Sequence, residues 1–123
     1  MAGYRMDRTS EDIKRELTAI IRTVKDPRVA DKLLSVVRVE VSRDMSYATV
    51  YVSAMEGIDT ARAAVEGCKS AAGFMRHALG EALRLRHVPA LRFVADDSIA
   101  YSARIAQTLA GLDLPEDPAE DTP

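Results

Sequence analysis

Between Lys69 and His87, six residues fall three or four apart along one side of a helical pattern: Lys69, Gly73, Arg76, Gly80, Arg84 and His87. Cations repeated at that spacing can neutralise successive phosphates of a nucleic-acid strand, and glycines between them leave helix backbone uncovered for a close approach. Lys69 and Arg76 lie seven residues apart, about 10 Å along a helix that rises about 1.5 Å per residue. Glycine inside a helix costs about 1 kcal/mol relative to alanine, so two on the exposed side ask for a reason such as a kink or a close contact. On the residues alone, the stretch reads either as a surface for a phosphate backbone or as a solvated helix with tolerated glycines.

Other chemistries find less support. His77 and His87 are the only histidines, ten residues apart with no second cysteine nearby, so no metal site is expected and both read as surface residues of a basic face. Asp96-Asp97-Ser98 sets a carboxylate pair beside a hydroxyl, but it follows a strand pattern and precedes an apolar helical one, where Ser98 reads as a helix cap. Cys68 has no partner for an internal disulfide and falls on an apolar stripe, as a core thiol in a reducing compartment does. Neither a phosphate-cradling loop nor a dinucleotide-binding glycine fingerprint is present. No cofactor and no small-molecule substrate are therefore expected.

The elements that would position the basic face follow from periodicity. Thr9 or Ser10 is expected to cap a first helix, with Ile13, Leu17, Ile20, Ile21 and Val24 as its buried stripe and Asp26-Pro27 as its stop. Arg22 and Lys25 lie off that stripe, and Arg28 follows in the loop. Val37, Val39 and Val41, then Ala48, Val50, Val52 and Ala54, alternate with polar neighbours, which predicts two strands joined as a hairpin through Arg43-Asp44-Met45. Tyr47 and Tyr51 share the outer face, to pack under a covering helix, to remain partly exposed, or to stack on bases.

From Thr60 to Leu85 the pattern is helical, with Val65, Cys68, Ala72, Met75, Leu79 and Ala82 as its apolar stripe. Leu91, Phe93 and Ala95 give a third strand, and Ile99, Ala103, Ala106 and Leu109 a last helix that Gly111 could stop. The order predicts an α+β domain with helices gathered on one face of a small sheet, as in KH-type RNA-binding domains.

The chain has 123 residues and a net charge of -2, unevenly divided. Residues 1–95 carry 16 Lys and Arg against 12 Asp and Glu, whereas residues 96–123 carry one Arg against seven acids. Partners respond to this local potential rather than to the total. One domain over residues 1–110 is expected, followed by an acidic, proline-rich disordered tail over residues 111–123. The absence of a signal-peptide pattern and of an apolar run near the 20 or so residues that span a bilayer points to a cytoplasmic protein without membrane contact. A monomer is the simplest expectation.

Three segments carry a family resemblance: RELTAIIRTVKDPRV at Arg15–Val29, VEVSRDMSYATVYVS at Val39–Ser53 and AAGFMRHALGEALRLRHVPALRFVADDS at Ala71–Ser98. Across roughly residues 5–110 the chain resembles bacterial ribosome-binding factor A. That resemblance implies a type II KH-like fold: helix, strand, strand, helix, kink, helix, strand, with a short C-terminal helix. Ala71-Ala72-Gly73 would form its interhelical kink in place of the usual GxxG turn. It also implies a non-enzymatic factor of ribosome biogenesis that binds rRNA of the small ribosomal subunit, assists late maturation and precursor rRNA processing, and is associated with growth in the cold. Carried over by position, Lys69, Gly73, Arg76, Arg84 and Arg86 are the main RNA-facing residues, and Arg22, Lys25, Arg28 and Arg43 the lesser ones.

Overall fold

The computed structural model describes residues 2–112. Its elements run α1 (Ala2–Ile20) with a following 3-10 turn (Ile21–Thr23), β1 (Leu34–Val41), β2 (Tyr47–Ala54), α2 (Ile58–Ser70), α3 (Ala72–Leu83), β3 (Ala90–Asp96) and α4 (Ser98–Leu112). β2 is the central strand, antiparallel to β1 and parallel to β3, so the pair α2–α3 forms the crossover that a parallel connection needs. The α+β, KH-like reading is the observed architecture.

Alternation sets the two faces of the sheet. Ala48, Val50, Val52 and Ala54 of β2, Val36 and Val39 of β1 and Phe93 of β3 are buried beneath α1, which lies over β1, and α2, which lies over β2 and β3. α1 supplies Ile13, Leu17 and Ile20, and α3 adds Met75 and Leu79, which seat it on α1. On the opposite face, the Arg38 guanidinium lies 4.2 Å from the Tyr51 ring centroid and that of Arg92 3.7 Å from the Tyr47 ring. Each tyrosine is thus matched with an arginine through a cation–π contact rather than left bare or roofed by a helix.

Several expectations shift. α1 begins at Ala2, so Thr9 and Ser10 are interior to it and cap nothing. β1 carries a bulge at Val37, between the pairs Val36↔Val52 and Arg38↔Tyr51, so Val36 joins Val39 on the core side and strict alternation fails there. Past Leu79 the stripe continues four residues on, at half-buried Leu83, rather than three on at Ala82, which is exposed.

At the start of α4 the cap differs as well. Asp97 contributes the first helical carbonyl, to Tyr101 N–H at 2.8 Å, and Asp96 Oδ1 accepts Ser98 N–H at 2.7 Å, so Ser98 is already inside the helix. The Ser98 hydroxyl and N–H hold the Asp96 carboxyl below the usual range. Ala100 is buried while Ala106 and Leu109 are exposed, and the helix continues through Gly111 to Leu112. The tail from residue 113 onward lies outside the described residues.

Ser53 is a fully buried polar side chain, at 0% exposure, on the face of β2 opposite the core residues, and its Oγ accepts Ile99 N–H at 3.2 Å, so the central strand caps α4. Ser53→Ala is expected to cost about 1–2 kcal/mol by stranding that donor, read as a lower midpoint in urea. An unchanged midpoint would show the cap to be unimportant.

Candidate nucleic-acid interface

The kink is built at Ala71. α2 ends at Ser70, Ala71 takes φ -98° and ψ 11°, and its N–H is shared between the Gly67 and Cys68 carbonyls at 3.1 and 3.0 Å. Its own carbonyl then accepts Met75 N–H at 2.9 Å and starts α3. Gly73 is thus within α3, past the bend, and a Cβ placed on it would meet nothing within 4 Å. Its backbone faces open space.

Beyond Gly73 the outer side of α3 and the loop to β3 enclose an open cleft of about 720 Å³, lined by Arg76, Arg84, Arg86, His77 and His87 with the two glycines 73 and 80. Three arginines face one acid, Glu81, whose carboxylate lies 3.6 Å from His77 Nε2. Arg84 and Arg86 form no ion pair among the described residues, so their guanidinium groups are available to an anion.

Arg76 has a second task. Its Nε and Nη2 donate to the Val88 carbonyl at 3.2 and 2.7 Å, tying α3 to the loop ahead of the buried Pro89. Gly80 serves the same contact from one turn further on, because a Cβ there would stand 2.8 Å from Val88 Cγ2. Together they hold the segment that carries Arg84, Arg86 and His87, while Nη1 of Arg76 makes no hydrogen bond among the described residues.

Arg84 ends α3 in the left-handed region, φ 52° and ψ 43°, where glycine is usual. The Gly80 carbonyl receives both its N–H and that of Leu85. A side chain there costs about 1–2 kcal/mol, and the cation it keeps in the cleft is a reason for tolerating that strain.

The two cleft glycines should therefore separate on substitution. Gly73→Ala is expected to raise stability by about 0.5–1 kcal/mol through helix propensity alone. Gly80→Ala is expected to lower it by about 1–2 kcal/mol by displacing Val88. Thermal unfolding of the two variants checks this, and equal shifts would remove the distinction.

The remaining sequence candidates lie in different places. Lys69, outside the cleft lining, pairs with Glu66 at 3.1 Å. Arg28 chelates Asp26, donating from Nε, Nη2 and its backbone N–H at 2.7–2.9 Å, which pulls the Asp26 carboxyl down to about 2. Lys25 stands at a neighbouring groove on the far side of the kink. Arg22 lines a separate hollow with Lys32 and Asp31. Arg43 sits in the β1–β2 hairpin, at the end of the sheet where the Ser46 carbonyl receives Ala90 N–H and the cleft loop enters β3.

The geometry suits phosphate binding better than catalysis. Burial pushes the Cys68 thiol up to about 11, leaving it neutral and unreactive. Asp96 and Asp97 cap α4, and no cluster of metal-ligating side chains occurs among the described residues. Among these residues, no helix is long and apolar enough to cross a membrane. Residue reasoning missed the role of Val88 and the exposure of Phe74; the visible signal for Phe74 was an aromatic residue one step off the apolar stripe, next to a glycine.

Comparison with known proteins agrees with this architecture. The sequence profile described as Ribosome-binding factor A matches residues 5–109. A ribosome-binding factor A from Heliobacterium modesticaldum is 44% identical over 119 residues, covering 95% of this chain and 96% of that protein. The solution structure of a putative ribosome-binding factor A from Thermotoga maritima aligns with a TM-score of 0.68 and 33% identity over 78% of this chain and 91% of its own. A homology model of Thermus thermophilus ribosome-binding factor A, fitted into the cryo-EM map of its complex with 30S, aligns with a TM-score of 0.57 and 31% identity over 69% of this chain and 88% of its own.

Proposed function

Because the chain belongs to the ribosome-binding factor A family, we propose that it is a non-catalytic assembly factor that docks on rRNA of the free or immature small ribosomal subunit. It acts in the cytoplasm as a monomer, assisting late maturation and processing of precursor rRNA ends, and so supports growth in the cold. The observation that carries this reading is the α3 cleft, where Arg84 and Arg86 are unpaired, Arg76 is fixed in place and Gly73 is bare.

Such a surface binds by counterion release and by shape, not by reading base edges. Arg76, Arg84 and Arg86 contact phosphates and Gly73 admits the strand. Lys69 and Lys25 extend the track across the kink at Ala71, and Arg22, Arg28 and Arg43 contribute at its margins. Arg28 and Lys69 do so less, since each already faces a carboxylate.

Tagged protein incubated with a cell extract tests the proposal. At moderate salt it should retain free small subunits in preference to translating ribosomes. Equal recovery of both, or tight retention of unstructured RNA without subunits, would contradict it.

A further inference from the structure

We infer that Phe74 and the groove beneath it form a stacking site for one unpaired nucleobase of the bound RNA, an inference that rests on the RNA-binding function proposed above. Phe74 is 53% exposed although it is aromatic and belongs to a helix whose other large apolar residues are fully buried, as Met75 and Leu79 are, or half-buried, as Leu83 is. One exposed apolar side chain is ordinary on a protein surface. The surroundings of Phe74 are what distinguish it.

A hollow of about 460 Å³ lies against Phe74, walled by Val24 and Ala71, with Lys25 also lining it. It offers an apolar, partly aromatic surface with a cation nearby, and Lys25 forms no ion pair among the described residues. The other charge there, Asp26, is chelated by Arg28 and so presents little net repulsion to a phosphate.

Continuity with the cleft identifies the occupant. Gly73 lines the basic cleft and Phe74 lines this groove, adjacent residues that point about 100° apart on a helix. A strand crossing the uncovered backbone at Gly73 leaves the arginines and arrives over the Phe74 ring. There an unstacked base covers the ring while its phosphate reaches Lys25, a combination of stacking platform and cationic track that single-stranded RNA uses. This places one base-stacking contact within an interface otherwise made of phosphate contacts.

Affinity for purified free small subunits, measured across a salt series, tests the inference. Phe74→Ala should weaken binding by about 5- to 150-fold, the range one base–aromatic stack supplies, with an unchanged salt slope because no phosphate contact is lost. Phe74→Tyr should bind within a few-fold of the parent, and Phe74→Leu should resemble Phe74→Ala, since the contact needs a π face. The chain has no tryptophan, so Phe74→Trp adds a single indole. Its fluorescence should be quenched by a 12-nucleotide oligoadenylate and not by an abasic strand of equal length.

Full affinity in Phe74→Leu would instead indicate an apolar contact with a ribosomal protein and overturn the inference. Unchanged affinity in Phe74→Ala, or equal quenching by the abasic strand, would overturn it alone and leave the cleft intact. Failure of the parent protein to bind small subunits would overturn the RNA reading together with this one.

Discussion

A protein carrying Arg84→Gly and Arg86→Gln together is expected to bind small subunits about 25- to 60-fold more weakly near 0.1 M salt while folding at least as stably as its parent. The binding estimate follows from counterion release: each lost phosphate contact lowers the slope of log affinity against log salt by about 0.7 on a single strand and 0.9 on a duplex, so two lower it by about 1.4–1.8. The stability estimate comes from the left-handed conformation of Arg84, whose relief by glycine outweighs the added freedom of the unfolded chain by up to about 1 kcal/mol. General damage to the fold would weaken binding and stability together. Opposite movement of the two is the signature of cations held in place at a cost. Salt-dependent binding and thermal unfolding on the same samples provide the check, and a slope unchanged from the parent would remove both arginines from the interface.

The reverse dissociation is expected at Leu79. This side chain is fully buried and, with Met75, seats α3 in the core formed with Ile13 and Leu17. Leu79→Ala removes buried methyl groups and leaves a cavity, for an expected loss of about 2–5 kcal/mol. In a domain of this size that lowers the unfolding midpoint by on the order of 10 °C or more. Below the new midpoint the folded fraction keeps Arg76, Arg84 and Arg86, so the salt slope of binding should stay within error of the parent. A midpoint within about 2 °C of the parent would mean that α3 is held chiefly by something else, such as the Arg76–Val88 contact.

How much of this was legible in the sequence depended on whether two faces of an element differed chemically. β2 could be read from Tyr47 to Val52 because alanine and valines alternate with tyrosine and threonine, whereas Ser53, polar and on the outer face, is buried by the start of α4. The bulge in β1 could not, since Val36 and Val37 are equally apolar and either suits a core position. Periodicity followed the buried stripe through the bend to Leu79 and then chose Ala82 over Leu83, because three and four residues on both suit a helical repeat and spacing alone does not decide between them. α4 was over-buried on paper: its apolar spacing suits a packed helix, but only its first turns meet the sheet, and Tyr101, Ile105 and Leu109 remain exposed.

At the candidate site the residue types were legible and their duties were not. Gly73, Arg76, Gly80, Arg84 and His87 belong to one cleft, as the helical spacing suggested, whereas Lys69 of the same series lies outside it and Arg86 joins it from the loop. The Arg76 contact with a backbone carbonyl twelve residues on depends on a turn that spacing cannot describe, and the close approach of Val88 to Gly80 depends on the same turn. Gly73 and Gly80 look alike in the sequence, yet one opens the surface and the other closes a contact. The place of Phe74 one step off the apolar stripe signals its exposed ring, but spacing says nothing of the groove beside it.

The most direct measurement is a photo-crosslink from inside the cleft. A photoreactive side chain installed at His77, which is exposed and lines the cleft, should attach to small-subunit rRNA when the protein is bound to immature subunits. The same group at Ser102, exposed on α4, should give little attachment to RNA. Crosslinks to RNA from Ser102 and none from His77, or crosslinks from His77 to ribosomal protein alone, would contradict docking of rRNA in the α3 cleft.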